Sequence, residues 1–311
     1  MAGSSVNRDP FDRDHAPVPG VAEPLAAGLS VVTAPNPGPM TFTGTRTYLL
    51  GTREVAVIDP GPEDPAHQAA VAAAVPAGAR VTAILVTHAH RDHSSGARAL
   101  QGLLQAPLVG FGPAERSPVM AALAARGGIG GGEGIDRGFV PDRRLGDGEE
   151  IAGDGWRLRA VHTPGHLGDH LSFAWAEGEA LFSGDTVMGW ATTLISPPDG
   201  DLGAFLASLR RLRARPEGRY FPGHGKPVDD PHGLIDWQIR HRAEREGQIR
   251  AALAQGPRDV PGLVAAVYPG LDPALRGAAG RNVLAHLIDL SERGIVAAEG
   301  GLTAGAVFGL A

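Results

Sequence analysis

No cysteine occurs anywhere in the 311 residues. Disulfides and thiolate metal sites are therefore excluded, and the redox compartment is left open. No apolar run approaches the roughly 18 residues that a membrane span requires. A positive charge balance is also missing. The formal net charge is -6, so nothing draws nucleic acid or anionic lipid globally, and any such binding has to be local. The stretch Met1 to Pro24 does not read as a signal peptide, because it is polar, broken by prolines and carries both signs of charge. The expectation is a loosely ordered arm over residues 1–24 and a soluble, cytoplasmic protein with no membrane partner. What is present is a globular composition, 43% hydrophobic, in a chain long enough for one large domain with an appendage or for two domains.

The densest chemistry lies in Thr87-His88-Ala89-His90-Arg91-Asp92-His93. The apolar run Val81 to Val86 before it has the composition of a buried strand, and Ala97 to Leu100 after it starts a helix. The motif thus sits on a loop at the carboxyl end of a strand, where open α/β sheets place their sites. Imidazole and carboxylate in this density suit Zn, Mn or Fe(II).

The rest of the chain repeats this arrangement. Leu29 to Ala34, Thr47 to Leu50 and Glu54 to Ile58 read as strands, the last two joined at Gly51-Thr52 and the last stopped by Asp59-Pro60-Gly61-Pro62. Asp64 to Val75 is a helix with Asp64 as N-cap. Residues 112–150 are rich in glycine and too long for an ordinary connection, with a helix only over Pro118 to Arg126; they fit a lid or a tolerated surface insertion equally. Strands follow at Trp156 to Val161, Leu171 to Trp175, Ala180 to Ser183 and Arg219 to Phe221, with an amphipathic helix over Leu202 to Arg213. Short strands ending in Gly, Pro, His or Asp bring their polar groups together along one edge of an α/β sandwich. After residue 235 the pattern changes to three helices, Ile235 to Leu253, Val260 to Val267 and Pro273 to Leu290. In the third, Leu275, Ala279, Val283, Leu287 and Leu290 form one stripe. Two short strands around Glu299-Gly300-Gly301 complete the outline of a winged helix.

Thr-His-Ala-His-Arg-Asp-His at 87–93, Thr-Pro-Gly-His at 163–166, Ser-Gly-Asp at 183–185 and Pro-Gly-His-Gly at 222–225 together resemble the metallo-β-lactamase superfamily. The resemblance implies an αββα sandwich over residues 25–235, followed by a small winged-helix-like α+β domain over 236–311. Carried over position by position, it also implies two divalent metal ions, zinc first, with Mn2+ or Fe2+ as alternatives. His88, His90 and His166 would hold one, Asp92, His93 and His224 the other, and Asp185 would bridge them. A hydroxide held between the ions would attack an electrophilic carbon or phosphorus, with Asp92 orienting it as the catalytic carboxylate. The sequence itself leaves His162, four residues before His166, as the alternative ligand. His170 is a weaker candidate for proton donor or pocket residue. Leu167 stands where the family usually has Thr or Ser, which removes one supporting hydroxyl.

Within the superfamily, Thr41 to Tyr48, Gly189 to Thr193 and His241 to Glu246 resemble the lactamase-beta-2-like group, with Arg46 standing where Asn is expected. That likeness implies a phosphodiesterase or endoribonuclease acting on single-stranded RNA. Arg210, Arg211, Arg213, Arg215 and Arg219, with Arg240, Arg242, Arg245 and Arg250, are either its RNA track or a solvated helix face. The alternative is a thioester or ester hydrolase resembling glyoxalase II, with β-lactam hydrolysis a third option. A metal-responsive DNA-binding regulator is the non-enzyme reading, although Arg276 and Arg281 alone give the third helix little to read DNA with. Packing or homodimer formation suits that helix better.

Overall fold

The computed structural model describes residues 9–132 and 134–311. Seven strands form the first sheet in chain order: β1 (Ala22–Ala26), β2 (Leu29–Thr33), β3 (Arg46–Leu50), β4 (Glu54–Ile58), β5 (Arg80–Leu85), β6 (Leu108–Gly110) and β7 (Arg143–Arg144). It is antiparallel through β4 and parallel from β4 to β7. Side chains alternate across it. Ala56 and Ile58 face the second sheet, while Val55 and Val57 face helices α1 (Pro65–Ala74) and α3 (Ala97–Leu104), the short α2 (Arg91–Ser94) lying between those two in the chain. A strand covered on both faces has to be apolar, which is why Val55, Ala56, Val57 and Ile58 read as a continuous hydrophobic run.

The second sheet has the order β12 (Arg219–Pro222), β11 (Ala180–Gly184), β10 (Leu171–Trp175), β9 (Trp156–His162), β8 (Glu150–Gly153). Phe173, Phe182 and Phe221 project from it into the shared core against Tyr48, Leu50 and Leu85. Its other face carries Leu181 and Tyr220 under α5 (Leu202–Arg213) and the first turns of α6 (Pro231–Leu253). Phe205 of α5 is fully buried there, and burying a side chain of that size contributes about 1.5–3 kcal/mol. The four layers are helix, sheet, sheet, helix.

The C-terminal unit packs the end of α6, α7 (Val260–Val267), α8 (Arg276–Glu292) and the hairpin β13 (Val296–Ala298) and β14 (Phe308–Leu310) around Leu263, Val283, Leu287 and Phe308. Helix α6 crosses residue 235 without a break. Leu234 and Ile235 belong to the sandwich, and Ile249 and Leu253 belong to the C-terminal core. On α8, Ala279, Val283, Leu287 and Leu290 are buried, but Leu275 lies in a 3-10 turn before the helix and is exposed.

Two loops differ from expectation. The arm's first eight residues lie outside the described residues, but from Asp9 onward the arm is held rather than loose. Phe11 packs edge-on against Trp237, Asp12 pairs with Lys226 at 2.8 Å, and the arm's end enters β1. The glycine-rich segment is no detached insertion either. Met120 and Leu123 of α4 (Pro118–Arg126) and Ile129 join the C-terminal core, the Arg91 amide donates to Gly134 C=O, and the Asp136 amide donates to Ala89 C=O. The segment is wedged between the histidine loop and the C-terminal unit.

Candidate metal centre

Every motif residue stands at one edge of the two sheets. His88 follows β5, His166 follows β9, Asp185 follows β11 and His224 follows β12. Backbone hydrogen bonds tie these strand ends together: Leu171 N–H to Thr87 C=O at 2.7 Å, Arg46 N–H to Gly223 C=O at 2.8 Å and Gly223 N–H to Gly184 C=O at 2.9 Å. Gly223 has to be glycine, because a Cβ there would stand 2.5 Å from Asp185 Oδ1 and 2.6 Å from His93 Cε1.

Two groups of donor atoms result, each within 4.8 Å: His88, His90, His166 and Asp185, and Asp92, His93 and His224. His88 Nε2 and His166 Nε2 each lie 2.9 Å from His90 Nδ1. In the second group, His93 Nε2 and His224 Nε2 stand 3.3 and 3.2 Å from Asp92 Oδ2. Asp185 joins the groups, with Oδ2 at 3.6 Å from His166 Nε2 and 3.5 Å from His224 Nε2. His162 stands outside them, stacked on Phe111 with its Nε2 at 2.8 Å from Gly168 C=O.

Tautomers follow from the surrounding acceptors. Thr87 Oγ1 donates to Asp59 Oδ2 at 2.9 Å, so the bond at 3.0 Å between Thr87 Oγ1 and His88 Nδ1 is donated by the ring. His166 Nδ1 donates to Leu194 C=O at 2.9 Å. The Nε2 atoms of His88 and His166 are therefore bare lone pairs, both aimed at His90 Nδ1, and one N–H there could satisfy only one of them fully. The buried Asp185 Oδ1 has no hydrogen-bond partner among the described residues. Unpaired lone pairs and a carboxylate converging on one point fit a divalent cation.

Charge divides the two groups. Burial, reinforced by neighbouring imidazoles, holds His88 well below its ordinary value and puts His90 at about 3. Burial lowers His166 too. For His93 and His224 burial is outweighed by Asp92 and Asp185, which hold His93 well above its ordinary value and raise His224 to about 9. Burial would raise the two carboxylates, but His93 and His224 keep both well below the usual range.

Other residues support this arrangement. Asp59, at the end of β4, receives His93 Nδ1–H at 2.9 Å, the Thr87 amide at 2.7 Å and the Thr87 hydroxyl. In the sequence it reads only as a strand stop; an aspartate ending the strand beside the histidine loop is the available signal. Asp169 accepts the Ala89 amide at 2.9 Å, and burial raises its carboxyl to about 7. His170, the weaker candidate for proton donor or pocket residue, has a fully buried ring stacked 4.9 Å from that of His88, and its Nε2 accepts the Asp185 amide at 3.1 Å.

The arginines offered as an RNA track are mostly engaged. Arg211 pairs with Asp147, Arg213 with Asp236, Arg215 with Glu217, Arg219 with Asp229 and Arg250 with Glu246. Arg245 lies over the Tyr268 ring, and Arg242 is buried.

Comparison with known proteins agrees with this geometry. The family described as the metallo-beta-lactamase superfamily matches residues 40–224, and the beta-lactamase associated winged helix domain matches residues 260–304. The beta-lactamase-like protein 2 homolog of Drosophila melanogaster is 32% identical over 89% of this chain and 92% of its own length. The atrochrysone carboxyl ACP thioesterase dmxR1 of Cryptosporiopsis sp. (strain 8999) is 28% identical over 79% of this chain and 70% of its own. The crystal structure of a beta-lactamase domain protein from Burkholderia ambifaria superposes with a TM-score of 0.79 at 25% identity, covering 96% of each chain. The chain thus belongs to the metallo-beta-lactamase superfamily, as a metal-dependent hydrolase that carries the beta-lactamase associated winged helix domain at its C-terminal end.

Proposed function

We propose that the chain is a dinuclear hydrolase of acyl thioesters or esters. His88, His90 and His166 would hold one divalent cation, Asp92, His93 and His224 a second, and Asp185 would be shared between them. The observation that carries this reading is the pair of donor clusters joined through Asp185 Oδ2. Zinc is the first choice for this nitrogen-rich donor set, with Mn2+ or Fe2+ as alternatives. When bound, the cations supply a water of lowered pKa and positive charge for the oxygen that becomes anionic.

The chain's own groups do the rest. The Asp92 side chain is 26% exposed against 9% for Asp185, so it is the carboxylate that meets incoming solvent. Thr45 Oγ1 donates to Asp92 Oδ2 at 3.2 Å and holds that carboxylate in place; Asp92 would take up the proton of the attacking water. The wall beside His224 is aromatic: Phe42 and Trp190 stack at 4.9 Å, and Trp190 borders Gly225.

Charge supports this substrate class. A phosphodiester track needs cations free to meet phosphates, and five of the nine arginines considered for that role are paired with carboxylates. An acyl substrate needs an apolar wall, which Phe42 and Trp190 provide. The relative named as a thioesterase supports the same class. The regulator reading finds little support on α8, which is buried along Ala279, Val283, Leu284, Ala285 and Leu287.

The test uses purified full-length chain with Zn2+ or Mn2+ against S-lactoylglutathione, an acyl-pantetheine thioester, single-stranded RNA, bis-p-nitrophenyl phosphate and nitrocefin. Thioester turnover that disappears in Asp92→Ala is expected. RNA cleavage abolished by Asp92→Ala, with thioesters untouched, would overturn the substrate class. Equal RNA cleavage by both proteins would mark a contaminant.

A further inference from the structure

The segment Thr193-Leu194-Ile195 touches the metal centre and the C-terminal unit with consecutive residues. Thr193 Oγ1 donates to Asp185 C=O at 2.7 Å, and Leu194 C=O receives His166 Nδ1–H at 2.9 Å. On the other side, the Ile195 amide donates to Asn282 Oδ1 of α8 at 3.2 Å. Arg242 of α6 donates to Asn282 Oδ1 at 3.0 Å and, through its other terminal nitrogen, to Thr193 C=O.

Arg242 is an unusual choice for this place. Its residue is 4% exposed, its guanidinium lies over the Phe205 ring, and among the described residues no carboxylate stands within ion-pair distance. Its Nε has no partner among them either. A buried cation without an anion is destabilising, and an apolar side chain of equal volume would pack there without that penalty. The arginine does something an apolar residue cannot, which is to hold a backbone carbonyl and an amide side chain at once in a planar fork.

We propose that Arg242 and Asn282 are positioning residues of the metal centre: from the C-terminal unit they fix Thr193–Ile195, and through it the backbone of Asp185 and the ring of His166. This rests on the dinuclear reading above. It assigns a role to the Gly189–Thr193 and His241–Glu246 stretches that the chemistry at the metals leaves unexplained. It also gives the winged helix a task inside the hydrolase without any nucleic acid.

The experiment compares full-length wild type with Arg242→Met, Asn282→Ala and Asn282→Asp. Zinc affinity is measured by competition with a chromophoric chelator, the visible spectrum is recorded with Co2+ in place of zinc, and melting temperature is measured metal-free. Loss of a group that orients a ligand typically costs about 10–100-fold in metal affinity. That loss is expected for Arg242→Met and Asn282→Ala, together with an altered Co2+ spectrum. Asn282→Asp keeps an acceptor for both the Ile195 amide and Arg242, and it should hold zinc as the wild type does. Should Arg242→Met melt at or above the wild-type temperature while losing zinc, the role is positioning rather than bulk stability. Wild-type zinc affinity and Co2+ spectrum in both Arg242→Met and Asn282→Ala would overturn the proposal, whatever their melting temperatures. If wild type itself takes up no zinc or Co2+, the dinuclear reading falls first and takes this proposal with it.

Discussion

Replacing Asp59 by asparagine changes one atom and should disturb the second metal position from beneath. In the native arrangement Asp59 Oδ1 accepts the Thr87 amide at 2.7 Å, and Oδ2 accepts both Thr87 Oγ1–H and His93 Nδ1–H at 2.9 Å. All three partners are donors, and a carboxylate is acceptor-only. An asparagine amide has to turn its NH2 toward one side or the other. In the Oδ1 place it faces the Thr87 amide hydrogen; in the Oδ2 place it faces the His93 ring hydrogen. Either way a buried donor is left facing a donor, at a cost of about 1–3 kcal/mol. His93 loses its fixed tautomer in one orientation, and the strand end carrying His88 is displaced in the other. Metal affinity should fall about 10–100-fold, equivalent to about 1.4–2.7 kcal/mol. Zinc competition against a chelator, read beside metal-free thermal unfolding, measures both parts. An Asp59→Asn protein that binds both zinc ions as tightly as wild type would refute the claim that Asp59 holds His93 in place.

Four further outcomes follow from the same geometry. Asp92→Ala should bind one zinc in place of two by elemental analysis and lose at least ~100-fold in kcat; two retained ions would contradict its placement as a ligand. Gly223→Ala drives a methyl group against Asp185 and His93, so metal content should collapse even where circular dichroism shows the sandwich intact. In the metal-free protein burial pulls His224 down, but Asp185 and Asp92 set it at about 9. Its protonated form then adds stability that is complete below about pH 6.5 and is lost as pH rises through about 9. Melting temperature should fall over that window without metal and stay flat with zinc; a flat metal-free profile would count against the pairing. His286 on α8 is 2% exposed with neither ring nitrogen partnered among the described residues, and burial puts it at about 3. His286→Leu should stabilise the protein by about 1 kcal/mol in urea unfolding at neutral pH, and it should remove an acid-sensitive loss of stability below about pH 6.5. A His286→Leu protein less stable than wild type would show that the ring is packed for its shape.

The strands of the sandwich were readable because burial on two faces forces an apolar composition, as in Val55, Ala56, Val57 and Ile58 of β4 and Ala83, Ile84 and Leu85 of β5. The seven motif residues were readable for a related reason. They cluster directly after strands, so sequence position and spatial position coincide at the sheet edge. What escaped the sequence are contacts made by ordinary residues over long separations. Asp59 reaches His93 across 34 positions, and Asp169 reaches the Ala89 amide across 80. A lone aspartate in a turn gives no periodicity or spacing from which to foresee either contact. The arginines show the opposite effect. Arg211, Arg213 and Arg219 look like a basic track when counted along the chain, but their acidic partners Asp147, Asp236 and Asp229 lie in other elements. Charge clustering in sequence therefore overstates free charge wherever the fold brings acids alongside. Arg242 shows the reverse case. Nothing separates it in sequence from Arg240 or Arg245, yet only Arg242 is buried, because helix α6 turns that position inward between the sandwich and α8. Helical phase alone could not have said which face would be covered twice, since α6 serves one core with Leu234 and Ile235 and another with Ile249 and Leu253. The join between the two units is thus written in the helix that both of them bury, and the side chain at that join reaches back toward the metal centre.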